Sequence, residues 1–218
     1  MENIINVTGG KGGNVFLVKG ETKTALLDCG MAYCEAQLIK NIKHELAERP
    51  LDCIFISHSH YDHVGAIPYL KKEWPNSRVL GARHAKQILV RPNALKKIKD
   101  LGQQAARFYG ANTLIEYDDQ LMQIDDILNE GDVISLGNMN VRVIETTGHT
   151  QCSLSFLLDD KIMFASESTG YMSKSEKVYP AFITSCAEAL ASIDKCKKNE
   201  TSFHYFTALW RGSAKRYV

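Results

Sequence analysis

Residues 51–63, Leu-Asp-Cys-Ile-Phe-Ile-Ser-His-Ser-His-Tyr-Asp-His, constrain the fold more than any other stretch of the chain. Their first half is a short apolar run that reads as a buried strand. It leads directly into a turn holding His58, His60, Asp62 and His63. Four ionisable side chains placed against an apolar strand would lose hydration with nothing in return unless they share a partner. Imidazole and carboxylate suit zinc, or iron and manganese, and no cysteine is interleaved with them as a structural thiolate site would require. On a tight loop His58 and His60 can face one point while Asp62 and His63 turn toward a neighbouring one, a spacing that can serve two metals. The competing reading is a set of surface or helix-capping histidines that bind nothing.

The flanking sequence sets an order of elements around this turn. Apolar segments at 4–7, 15–18 and 24–27, with Gly9-Gly10-Lys11-Gly12-Gly13 between the first two, predict three strands joined by turns. Helical spacing of Leu38, Ile39, Ile42 and Leu46 predicts a helix over 35–48, ending before Pro50. Beyond the turn the pattern predicts a helix at 67–72, a strand at 78–80 and a mostly helical stretch over 84–109. Strands follow at 133–136, 141–144, 153–158 and 162–165, then a last helix over 185–198. Two halves that each run from strands to helices predict two β layers with helices outside. With 218 residues, 44% of them hydrophobic, the chain has material for one large domain over 1–218.

Charge and cysteine usage narrow the partners. Twenty-six basic residues against 25 acidic ones leave a net charge of +1, so no whole-chain field favours nucleic acid. Lys86, Arg91, Lys96, Lys97 and Lys99 lack interleaved aromatics and read as a solvated helix face. No apolar run approaches the roughly 20 residues that span a bilayer, and Met1-Glu2-Asn3 does not open a basic-then-apolar leader. The expected compartment is cytoplasmic, with no membrane and no nucleic acid among the partners, a small-molecule substrate, and a homodimer allowed. The six cysteines are scattered without a Cys-x-x-Cys and read as buried reduced thiols.

At these residues a family emerges. The turn resembles the His-x-His-x-Asp-His signature of the metallo-β-lactamase superfamily, and Gly148-His149-Thr150 resembles its second ligand segment. Leu27-Asp28-Cys29-Gly30 is similar to the family's Asp-Thr-Gly turn, and 131–137 to the strand pair ahead of the second ligand segment. The resemblance covers roughly 3–200. It implies a four-layer αββα sandwich of two mixed β-sheets with helices outside, and zinc, one or two ions per chain, with iron or manganese as alternatives. His58, His60 and His149 would hold the first metal, Asp62 and His63 the second, with Asp28 a supporting carboxylate. It also implies a metal-dependent hydrolase that turns metal-activated hydroxide on an ester, thioester, lactone, β-lactam or phosphodiester, with Asp62 catalytic in orienting the water and carrying its proton. A helical insertion over about 84–128 would be the substrate lid, and Tyr171 and Met172 would be pocket residues. The alternatives are a ligand-sensing or regulatory protein that keeps the metal site but turns over little, a nuclease, and the redox chemistry of di-iron relatives. Those relatives carry Glu at the position of His60 and an attached flavin domain, and this chain has neither.

Two departures stand out. Where the family has a bridging aspartate after a Leu-Phe-x-Gly strand, this chain has Met163-Phe164-Ala165-Ser166-Glu167, so Glu167 is the matching carboxylate, or else a plain loop glutamate. The family's last histidine, in a Pro-Gly-His-like loop, has only His204 as a counterpart, with neither proline nor glycine beside it. His204 reads as an ordinary tail residue, and the second site is then incomplete. Residues 204–210 can be encoded CAT TAT TTC ACC GCA TTA TGG, which read one base later gives Ile-Ile-Ser-Pro-His-Tyr and a glycine codon. The expectation is a reading-frame shift shortly before His204, with an aberrant C-terminus after about 201 that fits this core poorly.

Overall fold

The computed structural model describes residues 3–172, 178–179, 181–198 and 204–206, with backbone alone for 171–172, 178–179 and 204–206. Strands β1 (Ile4–Asn6), β2 (Phe16–Lys19) and β3 (Thr24–Leu27) form an antiparallel meander. Helix α1 (Glu35–Leu46) then returns the chain to β4 (Cys53–Phe55), which lies parallel to β3. Helices α2 (Tyr61–Val64) and α3 (Ile67–Glu73) lead to β5 (Arg78–Ala82), and α4 (Arg83–Ile88) and α5 (Pro92–Phe108) lead to β6 (Asp126–Leu128). Both strands extend the same sheet in parallel. The second sheet is built from β7 (Val133–Ser135), β8 (Asn140–Glu145), β9 (Leu154–Leu158) and β10 (Ile162–Phe164), each antiparallel to the next. A small hairpin, β11 (Tyr171–Met172) with β12 (Val178–Tyr179), precedes helix α6 (Cys186–Lys198). Strand β13 (His204–Phe206) then runs parallel to β10 at the sheet's edge.

The two sheets pack face to face. Phe16, Val18, Ala25, Leu27 and Phe55 of the first meet Val141, Val143, Phe156, Leu158 and Phe164 of the second. Phe55 and Phe156 pack edge to face at 5.3 Å between ring centroids, and Phe16 and Phe164 at 5.8 Å. The opposite face of the first sheet presents Leu17, Leu26, Ile54 and Val79 to Leu38 and Ile42 of α1 and Ile67 and Leu70 of α3. Behind the second sheet, Ile144, Leu157 and Met163 meet Cys196 of α6. The result is the αββα sandwich. It explains why β3, β4 and β9 are apolar without alternation: each is covered on both faces, and each large side chain so buried contributes about 1.5–3 kcal/mol.

The segment read as a helical insertion over 84–128 departs from that reading at both ends of its logic. Its α-helices end at Phe108, a single 3-10 turn follows at Asp119–Leu121, and its last residues are β6, paired with β5 from Leu80↔Asp126 to Ala82↔Leu128. Leu95, Ile98, Met122 and Ile124 are buried in the same core as the first sheet, so the segment is tied to the domain along its length. The histidine-rich turn is also not a loop throughout, because the amides of His63 and Val64 both donate to the His60 carbonyl and wind Tyr61–Val64 into a helical turn. Five cysteines are buried, as read, but Cys186 at the start of α6 is exposed. No helix among the described residues is long and apolar enough to cross a membrane.

Candidate metal centre

Strand β4 ends at Phe55, and the chain leaves it toward one end of the sandwich carrying Ser57, His58 and His60. Helix α2 adds Asp62 and His63, the loop after β8 adds His149, and the turn after β10 adds Glu167. His58 Nε2 lies 2.9 Å from His60 Nδ1, which lies 3.2 Å from His149 Nε2. Tetrahedral zinc with bonds of about 2.0–2.1 Å holds its nitrogens about 3.3 Å apart, so this tripod needs little adjustment to close on one ion. A second donor group adjoins it through His58. His63 Nε2 is 3.1 Å from Glu167 Oε1, and His58 Nε2 is 3.7 Å from Glu167 Oε2. Asp62 is placed beside both groups rather than within either, its Oδ2 3.7 Å from His63 Nε2 and its side chain 14% exposed.

Hydrogen bonds behind the ligating atoms decide which imidazole nitrogens are free. His63 Nδ1 donates to Asp28 Oδ2 at 2.7 Å, and His58 Nδ1 donates to Ser57 Oγ at 3.0 Å. Ser57 in turn gives its amide to Asp28 Oδ1 at 2.7 Å and its hydroxyl to Asp28 Oδ2 at 2.8 Å. With those bonds made through Nδ1, the Nε2 atoms of His58 and His63 face the cluster, where a metal would take the place of a proton on His63. Asp28 achieves this from the left-handed region, φ 61°, where its amide bonds the Phe55 carbonyl and the next amide bonds the His63 carbonyl. The expectation of Asp28 as a supporting carboxylate thus corresponds to an aspartate that is wholly buried and bonded to both β4 and α2.

His149 is fixed differently. The carbonyl of Gly148 accepts from the amides of Thr184 and Ser185 and from the Thr184 hydroxyl, which locks the loop onto the start of α6. Gly148 sits at φ 123°, and a Cβ there would fall 2.2 Å from the Ala189 amide nitrogen, so only glycine lets the loop approach so closely. His149 Nδ1 is buried, beside the Ala181 backbone.

The electrostatics follow from burial and crowding. Burial, helped by the neighbouring imidazoles, pulls His58 well below the usual histidine range and His60 down to about 4. Burial also opposes charge on His63, but Glu167, Asp28 and Asp62 outweigh it and hold this ring well above the usual range. Burial would likewise raise Glu167, yet His63 and His58 hold it well below ordinary carboxylates. A neutral three-imidazole tripod beside an anionic carboxylate is a donor set that a divalent cation would satisfy, and the residues present fit zinc.

A sequence model of the metallo-beta-lactamase superfamily matches residues 8–200. The chain belongs to the metallo-beta-lactamase superfamily. Among similar proteins, a metallo-beta-lactamase fold-containing protein of Sulfurisphaera tokodaii is 29% identical over 158 residues, 72% of this chain and 56% of that one. A hydroxyacylglutathione hydrolase of Rhodopseudomonas palustris is 34% identical over 116 residues, 53% of this chain but 32% of the relative. This superfamily member thus spans about half, or less, of the curated relatives it matches. In three dimensions it is similar to an archaeal metallo-beta-lactamase superfamily protein from Sulfolobus tokodaii. The TM-score is 0.71 at 22% identity, over 93% of this chain and 78% of the other. It is also similar to a subclass B3 metallo-beta-lactamase of Bradyrhizobium japonicum, with a TM-score of 0.65 at 17% identity, over 94% of this chain and 74% of the other.

Some expected residues fall elsewhere. The side chains of Tyr171, Met172 and His204 lie outside the described residues, as does everything expected of the tail apart from the β13 backbone. Three residues of this member gained no role from the sequence. Ser57 stood in plain view inside the motif, Gly148 was quoted only as part of a ligand segment, and Ser166 only as a departure from glycine.

Proposed function

We propose that this chain is a metal-dependent hydrolase, with zinc held by His58, His60 and His149 and a second ion beside it held by His63 and Glu167. The observation that carries the reading is the pair of donor groups sharing His58 at the mouth of the sandwich, with a partly exposed carboxylate alongside. Zinc bound there supplies Lewis acidity, which makes water a nucleophile at neutral pH. The chain's own residues do the rest. Asp28 and Ser57 hold the imidazoles in the ligating tautomer, and Asp62 is the one carboxylate of the site left open to receive and pass on a proton. An ester, thioester, lactone or phosphodiester fits this chemistry, and relatives named hydroxyacylglutathione hydrolase weight the thioester. The test is elemental analysis of metal per chain, followed by thioester, lactone, ester and phosphodiester substrates. Turnover that a chelator abolishes and zinc restores is expected. A fully metal-loaded chain that hydrolyses none of them would favour the sensing role.

We propose as well that the second site lacks a final ligand in this chain because of a shifted frame near residue 204. The codon reading of residues 204–210 supports this. Sequencing the gene is the check. An uninterrupted frame whose other reading lacks Pro-His-Tyr-Gly ends the idea.

A further inference from the structure

Ser166 occupies a backbone position that favours glycine. Its φ is 50°, in the left-handed region where a serine is strained, and its side chain is buried at 2% exposure. Yet its hydroxyl donates to Glu167 Oε2 at 2.5 Å and lies 3.1 Å from Ser57 Oγ, the group that bonds Asp28 and His58. Glu167 itself has one more rotatable bond than an aspartate. Left alone, a glutamate on a tight turn has several ways to place its carboxylate, and most of them miss the cluster. The neighbouring hydroxyl removes that freedom, and Oε1 is left facing His63 Nε2 at 3.1 Å.

We infer that Ser166 and Glu167 work as a matched pair, in which Ser166 is a positioning residue that tethers the longer carboxylate onto the second donor group. The pair replaces a glycine and a shorter acid with a strained serine and a longer acid. The inference rests on the metal reading of the site. It goes beyond it by assigning a role to a residue that touches no ion.

The test is a Co²⁺ titration of the full chain, followed by absorbance and by competition with a chelator, alongside thermal melts of metal-free protein. Ser166→Gly should weaken the second ion about ten- to a hundredfold, the usual cost of losing a supporting hydrogen bond, and leave the first ion unchanged. Its metal-free melting temperature should stay close to wild type, because relief of the strained φ offsets the lost bond. Ser166→Ala keeps the strain without the bond, so it should weaken the second ion equally and melt lower. Glu167→Asp alone should also lose the second ion, and the double variant Ser166→Gly with Glu167→Asp should recover much of it. A wild type that binds two ions beside a Ser166→Gly that binds both as tightly overturns the pairing and leaves the metal reading intact. A wild type that binds one ion overturns the pairing while the first site stands. A wild type that binds none overturns both.

Discussion

Replacing His58 with alanine is expected to release the first metal. His58 Nε2 is one of the three donors of the first group, 2.9 Å from His60 Nδ1, and lies 3.7 Å from Glu167 Oε2 beside it, so a single truncation removes a third of the first ion's ligands. A three-ligand set that loses one donor also loses the geometry that holds the other two on one ion, and metal affinity falls steeply. The remaining cluster would not refill the gap, because His63 Nδ1 is committed to Asp28 and the Gly148 clamp on α6 keeps His149 where it is. Elemental analysis of the dialysed variant should find the first ion lost relative to wild type, with circular dichroism unchanged in shape. A full complement in purified His58→Ala would remove His58 from the ligand set.

The second large effect is on turnover. Asp62 sits on α2 beside both donor groups, and its carboxylate is the least buried acid of the cluster, at 14% against 4% for Glu167 and none for Asp28. Those two carboxylates are occupied by hydrogen bonds, whereas among the described residues Asp62 makes the 3.7 Å approach to His63. Asp62→Asn conserves shape and cannot accept a proton from attacking water. Turnover should fall by about 10²–10⁴-fold, the usual contribution of a positioned acid–base group, and metal per chain should change little. Wild-type turnover by a metal-loaded Asp62→Asn would strike Asp62 from the mechanism. Joint loss of metal and activity would make it a ligand instead.

Much of this was legible in one dimension, for reasons that differ from residue to residue. The strand before the motif could be read because β4 is buried on both faces and so carries an unbroken apolar run. The motif itself stood out because its four ionisable side chains are neighbours in sequence. Strand β6 could not, since Asp126–Leu128 is three residues long and owes its place to pairing with β5 rather than to a pattern of its own. The end of α5 was placed well, yet the segment beyond it was read as part of the same helical insertion because Met122 and Ile124 are isolated apolar residues in a polar stretch. Their burial depends on a sheet that is distant in sequence.

What the sequence determined by itself was the class of chemistry and the order of elements. Donor types and their local spacing are properties of side chains, and periodicity is a property of neighbours, so both survive without coordinates. The tertiary structure alone decided how the donors divide. His58 joins two groups, Asp62 stands beside them, and Glu167 is brought 104 positions along the chain to within 3.1 Å of His63. It also decided the supporting shell, because a serine at φ 50° or an aspartate at φ 61° has no signature in a string of letters. Those backbone states are imposed by packing between β3, β4 and the turn after β10. Pairing of β3 with β4 brings Asp28 to Ser57 and His63, and packing of the second sheet on the first brings Ser166 to Ser57.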